Sequence, residues 1–363
     1  CRRNGAFWVK AAQFFSCRPD VLPQEYIEAF QALQNDAAPV SFARIEKVLR
    51  KSWGRDWRER FRWIEETPVA VASIAQVHRA RLEDGTDVAV KVRLPGVSKL
   101  FEQDAKVFQV LAAIAAPRFR EFDLKQAIEQ LLIMTAMELD FRNEAANTRR
   151  FSRQPHHDRI RIPDLIDGLC SERILVTSWE QGQRLRNHLD ANPEQAKDLL
   201  SVLLTSYLQQ VTRFGVYQAD PHPGNFLVND QGQVVILDFG AIGVLTPDQV
   251  RRYSRLLYGL MGFEGEVDIG ELFVQAGFKG GSPETLKELA LFVLTDKVNQ
   301  QGPVAAMGEL MQRFREERIS IPDSYIGISR VLITLGGFLM SYQVPFDWTP
   351  PEQRRVPSKG AAE

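Results

Sequence analysis

The sequence predicts an α+β fold, and two observations carry that expectation. Short apolar runs of strand length, joined by glycine-containing turns, occur at 67–94 and 217–240. Most of the remaining chain repeats apolar residues at helical spacing, above all from Gly243 to about Gln343. The 363 residues, 44% hydrophobic and 25% charged, have the composition of an ordinary globular protein and accommodate two domains or one large one. A net charge of −1 gives no overall field for nucleic acid or an anionic membrane, so no nucleic-acid partner is expected. Cys1, Cys17 and Cys170 are too widely spaced for a disulfide framework or a metal knuckle, which points to a reducing compartment. The chain begins at Cys1 without a signal-peptide pattern, as expected of a fragment or a processed form.

In chain order, residues 6–35 read as helical, broken at Arg18-Pro19-Asp20, with Lys10 and Gln13 three apart on one face. Pro39 and Ser41 open a helix, FARIEKVLRKSW, whose Phe42, Ile45, Val48 and Leu49 recur at helical spacing. From Thr67 the pattern changes to a strand, a turn at Glu83–Thr86 and a second strand, VAVKV, which holds Lys91 between Val90 and Val92. Residues 98–116 and 123–151 read as helices, and the second carries Asp140 and Glu144 four apart on one face. Ile160 to Trp179 reads as two short strands before a connector, Glu180-Gln181-Gly182. Helices are expected at 194–214, 247–262, 266–276, 283–299, 303–317 and 322–342. The tail from Pro345, rich in Pro, Arg and Lys, is expected to be disordered. The most apolar run, 331–340, falls far short of the ~20 residues of a membrane span, so no transmembrane segment is expected.

The stretch Tyr217–Gly240, YQADPHPGNFLVNDQGQVVILDFG, carries the chemistry. Asp220 and Asn225 stand before the first apolar run of a hairpin, and Asp238 of Asp-Phe-Gly stands at the end of the second. Mg²⁺ takes oxygen ligands and is usually held by one or two carboxylates together with substrate phosphates. Protein kinases use an Asp to accept the hydroxyl proton, an Asn five residues on for one Mg²⁺ and the Asp of DFG for the other. Asp220, Asn225 and Asp238 fill those slots, while Gln218-Ala219 replaces the usual His-Arg. A strand lysine such as Lys91 holds the α- and β-phosphates in that chemistry, and a helix acid pairs with it. Glu144 is the first candidate for that acid and Glu138 the second. The nucleotide-covering loop expected before the lysine strand holds Ala70, Ala72, Ser73, Ile74, Ala75 and Gln76 and contains no glycine. Its Cβ atoms would crowd the phosphates and alter the pose or preference of the nucleotide.

These motifs together resemble the UbiB/AarF family of atypical kinase-like proteins over nearly the whole chain. The residues that carry the resemblance are KAAQ (Lys10–Gln13), VAVASIAQVH (Val69–His78), VAVKV around Lys91, ELD (Glu138–Asp140), NEAAN (Asn143–Asn147), QADPHPGN (Gln218–Asn225) and LDFG. The resemblance implies a two-lobed, atypical protein-kinase-like fold with an N-terminal helical extension over the active site. The corresponding domains are 1–66 for the extension, 67–180 and 181–344 for the two lobes, and 345–363 for the tail. It also implies that Lys10 and Gln13 meet Glu138 and Asp140 to block protein substrates, although Ala12 stands where the family usually has Gly. ATP and Mg²⁺ are the implied cofactors, and a quinone precursor or lipid the implied partner. The implied function is ATP hydrolysis or phosphoryl transfer in isoprenoid-quinone (ubiquinone) or membrane-lipid metabolism, on the cytoplasmic side, soluble or in peripheral membrane contact. Two alternatives are a small-molecule phosphotransferase and a nucleotide-gated, non-catalytic lipid-binding module.

Overall fold

The computed structural model describes residues 39–115, 124–260, 267–292, 313–314, 316–317 and 319–344. The first half holds α1 (Phe42–Trp53), β1 (Phe61–Ile64), β2 (Ala70–Val71), β3 (Ala75–Leu82), β4 (Asp87–Arg93), α2 (Val97–Ala115), α3 (Leu124–Glu138), α4 (Phe141–Ser152), β5 (Ile160–Arg161) and β6 (Ile174–Ser178). The second holds β7 (Gly182–Arg184), α5 (Leu185–Ala191), α6 (Ala196–Gln209), β8 (Val216–Gln218), β9 (Phe226–Asn229), β10 (Val234–Ile236), β11 (Ile242–Val244), α7 (Pro247–Leu260), α8 (Ile269–Gln275), α9 (Pro283–Phe292) and α10 (Asp323–Ser341). The chain divides into two compact units. Among the described residues the first takes those from 39 to 153 with Ile162–Gln181 and Leu237–Gly240, and the second takes the others.

The first unit is built on an antiparallel sheet in the order β1-β3-β4-β6, with β2 paired to β3. Strand periodicity gives the sheet two different faces. Val88, Val90 and Val92 of β4 are fully buried and join Ile45 and Leu49 of α1, Trp57 and Phe61 in one core. Each such aliphatic side chain contributes about 1.5–3 kcal/mol on burial. Lys91, between those valines, points to the other face, beside Val77 of β3 and Leu175 of β6. There Phe141 and Ala145 of α4 pack with Ala75 and Leu175 in a second core. The β3–β4 turn lies at the expected Glu83–Thr86, where Gly85 takes φ +95° and the Asp84 carboxylate accepts the Thr86 N–H.

The expected continuous helix over 123–151 is corrected to two. Asp140 adopts an extended backbone (φ −110°, ψ 99°) and caps α4, its carboxylate accepting the Arg142 N–H at 3.1 Å. It therefore stands outside the helix that carries Glu144. Asp140→Ala is expected to cost about 1 kcal/mol in chemical denaturation through the lost cap. An unchanged midpoint would mean that α4 does not depend on it.

The second unit holds a sheet in the order β5-β10-β9-β7 and a β8–β11 ribbon. The expected hairpin is β9–β10, with the Asn229 side chain accepting the N–H groups of Gln231 and Gln233 across its turn. Helix α6, with ten buried residues, passes into a π turn over Gln210–Phe214 that delivers the chain to β8. The apolar run 331–340 proves to be part of the 19-residue α10, which is long and apolar enough, by length and composition alone, to cross a membrane. The helix matches the one expected over 322–342, and its more polar first half, with Asp323, Ser329 and Arg330, is what left the apolar run itself short. About half of the apolar window, 47%, is buried inside the protein.

Candidate active site

The first unit gathers three of the candidate residues around one ammonium group. Lys91 Nζ donates to both oxygens of Glu144, at 2.7 and 2.9 Å, and to Asp238 Oδ2 at 3.2 Å. The Lys91 side chain is 18% exposed, Glu144 6% and Asp238 36%. Burial opposes the lysine's charge, but the carboxylates of Asp238 and Glu144 outweigh it and hold the proton on Lys91 well above the ordinary range. Burial also raises the Glu144 carboxyl. Lys91 opposes that rise, Asp238 adds to it, and the group is pushed up to about 7. Two carboxylates thus share one cation, and the surplus negative charge belongs to the trio.

Helix α4 holds this arrangement from one face. Glu144, Asn147 and Phe151 follow helical spacing, and all three address the lysine or the Asp-Phe-Gly segment. Asn147 Nδ2 donates to the Phe239 carbonyl at 2.9 Å, and the Phe151 and Phe239 rings stand 5.0 Å apart. The Gly240 N–H donates to Asp238 Oδ1 at 2.8 Å, leaving Oδ2 toward Lys91. A Cβ on Gly240 would approach that Oδ1 to 3.1 Å, so the residue type matters to the turn.

The alanine-rich segment forms a tight β2–β3 turn, closed by the Ala72 N–H on the Ala75 carbonyl. Ala72 is exposed, Ala70 and Ser73 are half-buried, and Ile74 and Ala75 are buried. Gln76 is buried on the face of β3 opposite Lys91, and the structure does not bring the two together. Its amide exchanges two hydrogen bonds with the Val40 backbone, at 3.0 and 3.1 Å, and contacts His78. Glu138 ends α3, and Asp140 is engaged by Arg142, whose guanidinium holds its carboxyl below the usual range. Lys10 and Gln13 lie outside the described residues.

In the second unit, Asp220 is exposed at the end of β8 and its backbone is tightly held. Gln218 accepts the Asp220 N–H at 3.0 Å, donates to the Asp220 carbonyl at 2.7 Å and accepts the Tyr207 hydroxyl at 2.7 Å. Asn225 Nδ2 also donates to the Asp220 carbonyl, at 3.1 Å, closing the loop between the two candidates. Arg330 of α10 donates to the Ala219 carbonyl at 2.9 Å. The Gln-Ala pair that replaces His-Arg thus anchors the loop through an amide side chain and a distant guanidinium. Sequence reasoning did not assign Asn147, Gln218 or Arg330 a part here. Asn147 carried a local signal in its position three residues beyond Glu144, and Gln218 in its place in the pair that replaces His-Arg, whereas Arg330 carried none.

The donors suit a hard divalent cation. Asp238 offers carboxylate oxygen in the first unit and Asn225 amide oxygen in the second. Among the described residues no group of three or more His, Cys, Asp or Glu side chains could hold a metal. Asp238 and Asn225, each taken within its own unit, are oxygen donors of the kind Mg²⁺ accepts beside substrate phosphates, and neither belongs to a cage of protein ligands.

The mixed fold and its lysine–glutamate–DFG arrangement are those of a kinase-like protein. Residues 32–266 match the ABC1 atypical kinase-like domain, and the chain belongs to that family. It is 31% identical over 274 residues to AarF domain-containing protein kinase 1 of Xenopus laevis, covering 73% of this chain and 52% of that one. It is 27% identical over 345 residues to the chloroplastic ACTIVITY OF BC1 COMPLEX KINASE 7 of Arabidopsis thaliana, covering 92% and 50%. The solved complex of Rv3197 with erythromycin, from Mycobacterium tuberculosis, aligns with a TM-score of 0.63 at 25% identity, covering 92% of this chain and 87% of that one. The chain spans about half the length of these two named kinase relatives.

Proposed function

We propose that the chain binds ATP with Mg²⁺ and acts as an atypical kinase or ATPase in support of isoprenoid-quinone (ubiquinone) or membrane-lipid metabolism. One observation supports the nucleotide reading most: a strand lysine held by both oxygens of a buried helix glutamate and by the aspartate of DFG. Kinases require that ion pair for phosphate positioning. In this reading Lys91 holds phosphate oxygens and Glu144 fixes the lysine. Asp238 and Asn225 hold the metal, which supplies charge neutralisation at the phosphates. Asp220 accepts or orients the attacking hydroxyl. The turn from Ala70 to Ala75 covers the nucleotide without the close backbone approach of glycine. Lys10 and Gln13 act with Glu138 and Asp140 to keep protein substrates out, which leaves small-molecule or lipid-linked acceptors, or water.

The test is calorimetric binding of MgATP to the purified chain, followed by turnover with and without anionic liposomes, beside Asp220→Asn. Binding with turnover that falls in the variant, while nucleotide affinity is kept, is the expected result. Binding without turnover under any condition would replace catalysis with a nucleotide-gated switch. Absence of binding would overturn the reading.

A further inference from the structure

A cavity in the first unit lies among α1, the end of β4, the start of α2 and the residue before β6. Its volume is about 310 Å³, and its walls carry Lys47, Lys51, Arg93 and Arg173, with Gly96 and Ser98 at the opening of α2. Its lining shares no residue with the lysine–glutamate–DFG arrangement.

The charge on these walls is unbalanced. Lys47 and Lys51 stand four apart on α1, a spacing at which like charges repel. Their neighbour Glu46 turns instead to Arg50 and Arg58. Among the described residues no carboxylate lies within ion-pair distance of either lysine. Arg93 is 8% exposed, and its guanidinium is fixed by the Leu139 carbonyl and by Glu172 Oε1 at 2.8 Å. Glu172 Oε2 also stands 4.0 Å from Arg173. Four cationic residues therefore line the cavity, with Glu172 paired to Arg93 and Arg173 and Asp140 in the field of Arg93. Gly96 takes φ +84° and turns the chain into α2, whose first turn contains no acid to occupy its N-terminal N–H groups. A helix start of this kind favours negative charge, in addition to the side chains.

Lys47, Lys51 and Arg173 around one concavity, at the opening of α2, offer the donors that phosphate oxygens require, while Arg93, whose guanidinium is taken up by the Leu139 carbonyl and Glu172, contributes positive charge. We propose that this cavity binds the phosphate group of a phosphorylated ligand, at a site separate from that of the nucleotide. At about 310 Å³ it lies at the lower end of small-ligand pockets and has room for more than one inorganic phosphate. The proposal does not depend on the chain turning over ATP.

The experiment measures binding of inorganic pyrophosphate by calorimetry in saturating MgATP, and co-sedimentation with phosphatidylcholine vesicles with and without phosphatidic acid. The wild type is compared with Lys47→Ala/Lys51→Ala and, on a different element, with Arg173→Gln. The lysines are exposed and alanine favours the helix, so the double variant keeps its fold. We expect saturable binding that weakens about tenfold or more in both variants and falls with added salt. Loss confined to pyrophosphate identifies a free phosphorylated molecule as the ligand, whereas loss confined to phosphatidic acid vesicles identifies a lipid headgroup. Equal binding by wild type and both variants, or binding of neither probe, overturns the proposal.

Discussion

Asp238→Asn is expected to remove Mg²⁺-dependent nucleotide turnover and, without nucleotide, to make the protein less sensitive to rising pH. The first effect follows from losing a hard anionic donor, with a fall on the order of 10²-fold or more. The second follows from the trio. With Asp238 neutral, Lys91 serves one carboxylate, and the charge that helps raise Glu144 is gone. The sign is set by linkage. Glu144 ordinarily titrates at 4.5 and is pushed up to about 7 in the fold. The folded state therefore holds an extra proton between those values. The corresponding stability is fully present below about 4.5 and is lost as pH rises through about 7. The variant's Glu144 is shifted less, so it loses less. Thermal midpoints measured from pH 5 to pH 8 should fall more steeply for the wild type than for the variant. Parallel curves would show that the two carboxylates do not compete for Lys91. Turnover that survives in the variant would remove Asp238 from the metal role.

The parts of the fold that sequence made legible are those decided locally. The turn at Gly85 and the hairpin around Asn229 follow from short-range backbone chemistry, and alternation within VAVKV marks Lys91 as the polar residue among buried valines. Glu144 could be chosen from helical spacing, although its partner lies 53 residues away. Contacts without a local trace were not legible. Gln76 looked like part of a nucleotide loop, but strand period turns it to the other face, where Val40, 36 residues distant, takes both ends of its amide. Asn147 meets Phe239 across 92 residues, and Arg330 meets Ala219 across 111. The break at Asp140 was hidden for another reason. AMELDFRNE keeps helical periodicity through the break, and only the extended backbone of the capping residue reveals it. For α10 the helix expected over 322–342 was legible from spacing, and only its apolar length was understated, because the run 331–340 was weighed without the less apolar half before it.

Lys91→Met is expected to be the most destabilising single change at the site. Glu144 is nearly buried, so removing the ammonium strands a carboxylate that water cannot reach. Breaking a buried pair from one side costs about 3–5 kcal/mol. Glu144→Gln alone leaves Lys91 with Asp238 and should cost less. The double variant Lys91→Met/Glu144→Gln contains neither a stranded charge nor a stranded cation at that contact. It should therefore recover much of the loss, giving a non-additive cycle. Tryptophan fluorescence in urea suits the measurement, because Trp53, Trp57, Trp63 and Trp179 all belong to the first unit. The pH dependence separates charge from packing. Without Lys91 the Glu144 carboxyl titrates higher still, since the group opposing its rise has been removed. At pH 5 it is then protonated, and the single variant should approach the double. At pH 8 it is forced toward ionisation, and the gap between them should widen. A gap independent of pH would assign the loss to the missing lysine stem against Phe141, whose ring lies 5.5 Å from Nζ. A simply additive cycle would mean that Lys91 and Glu144 stand together without acting as a pair.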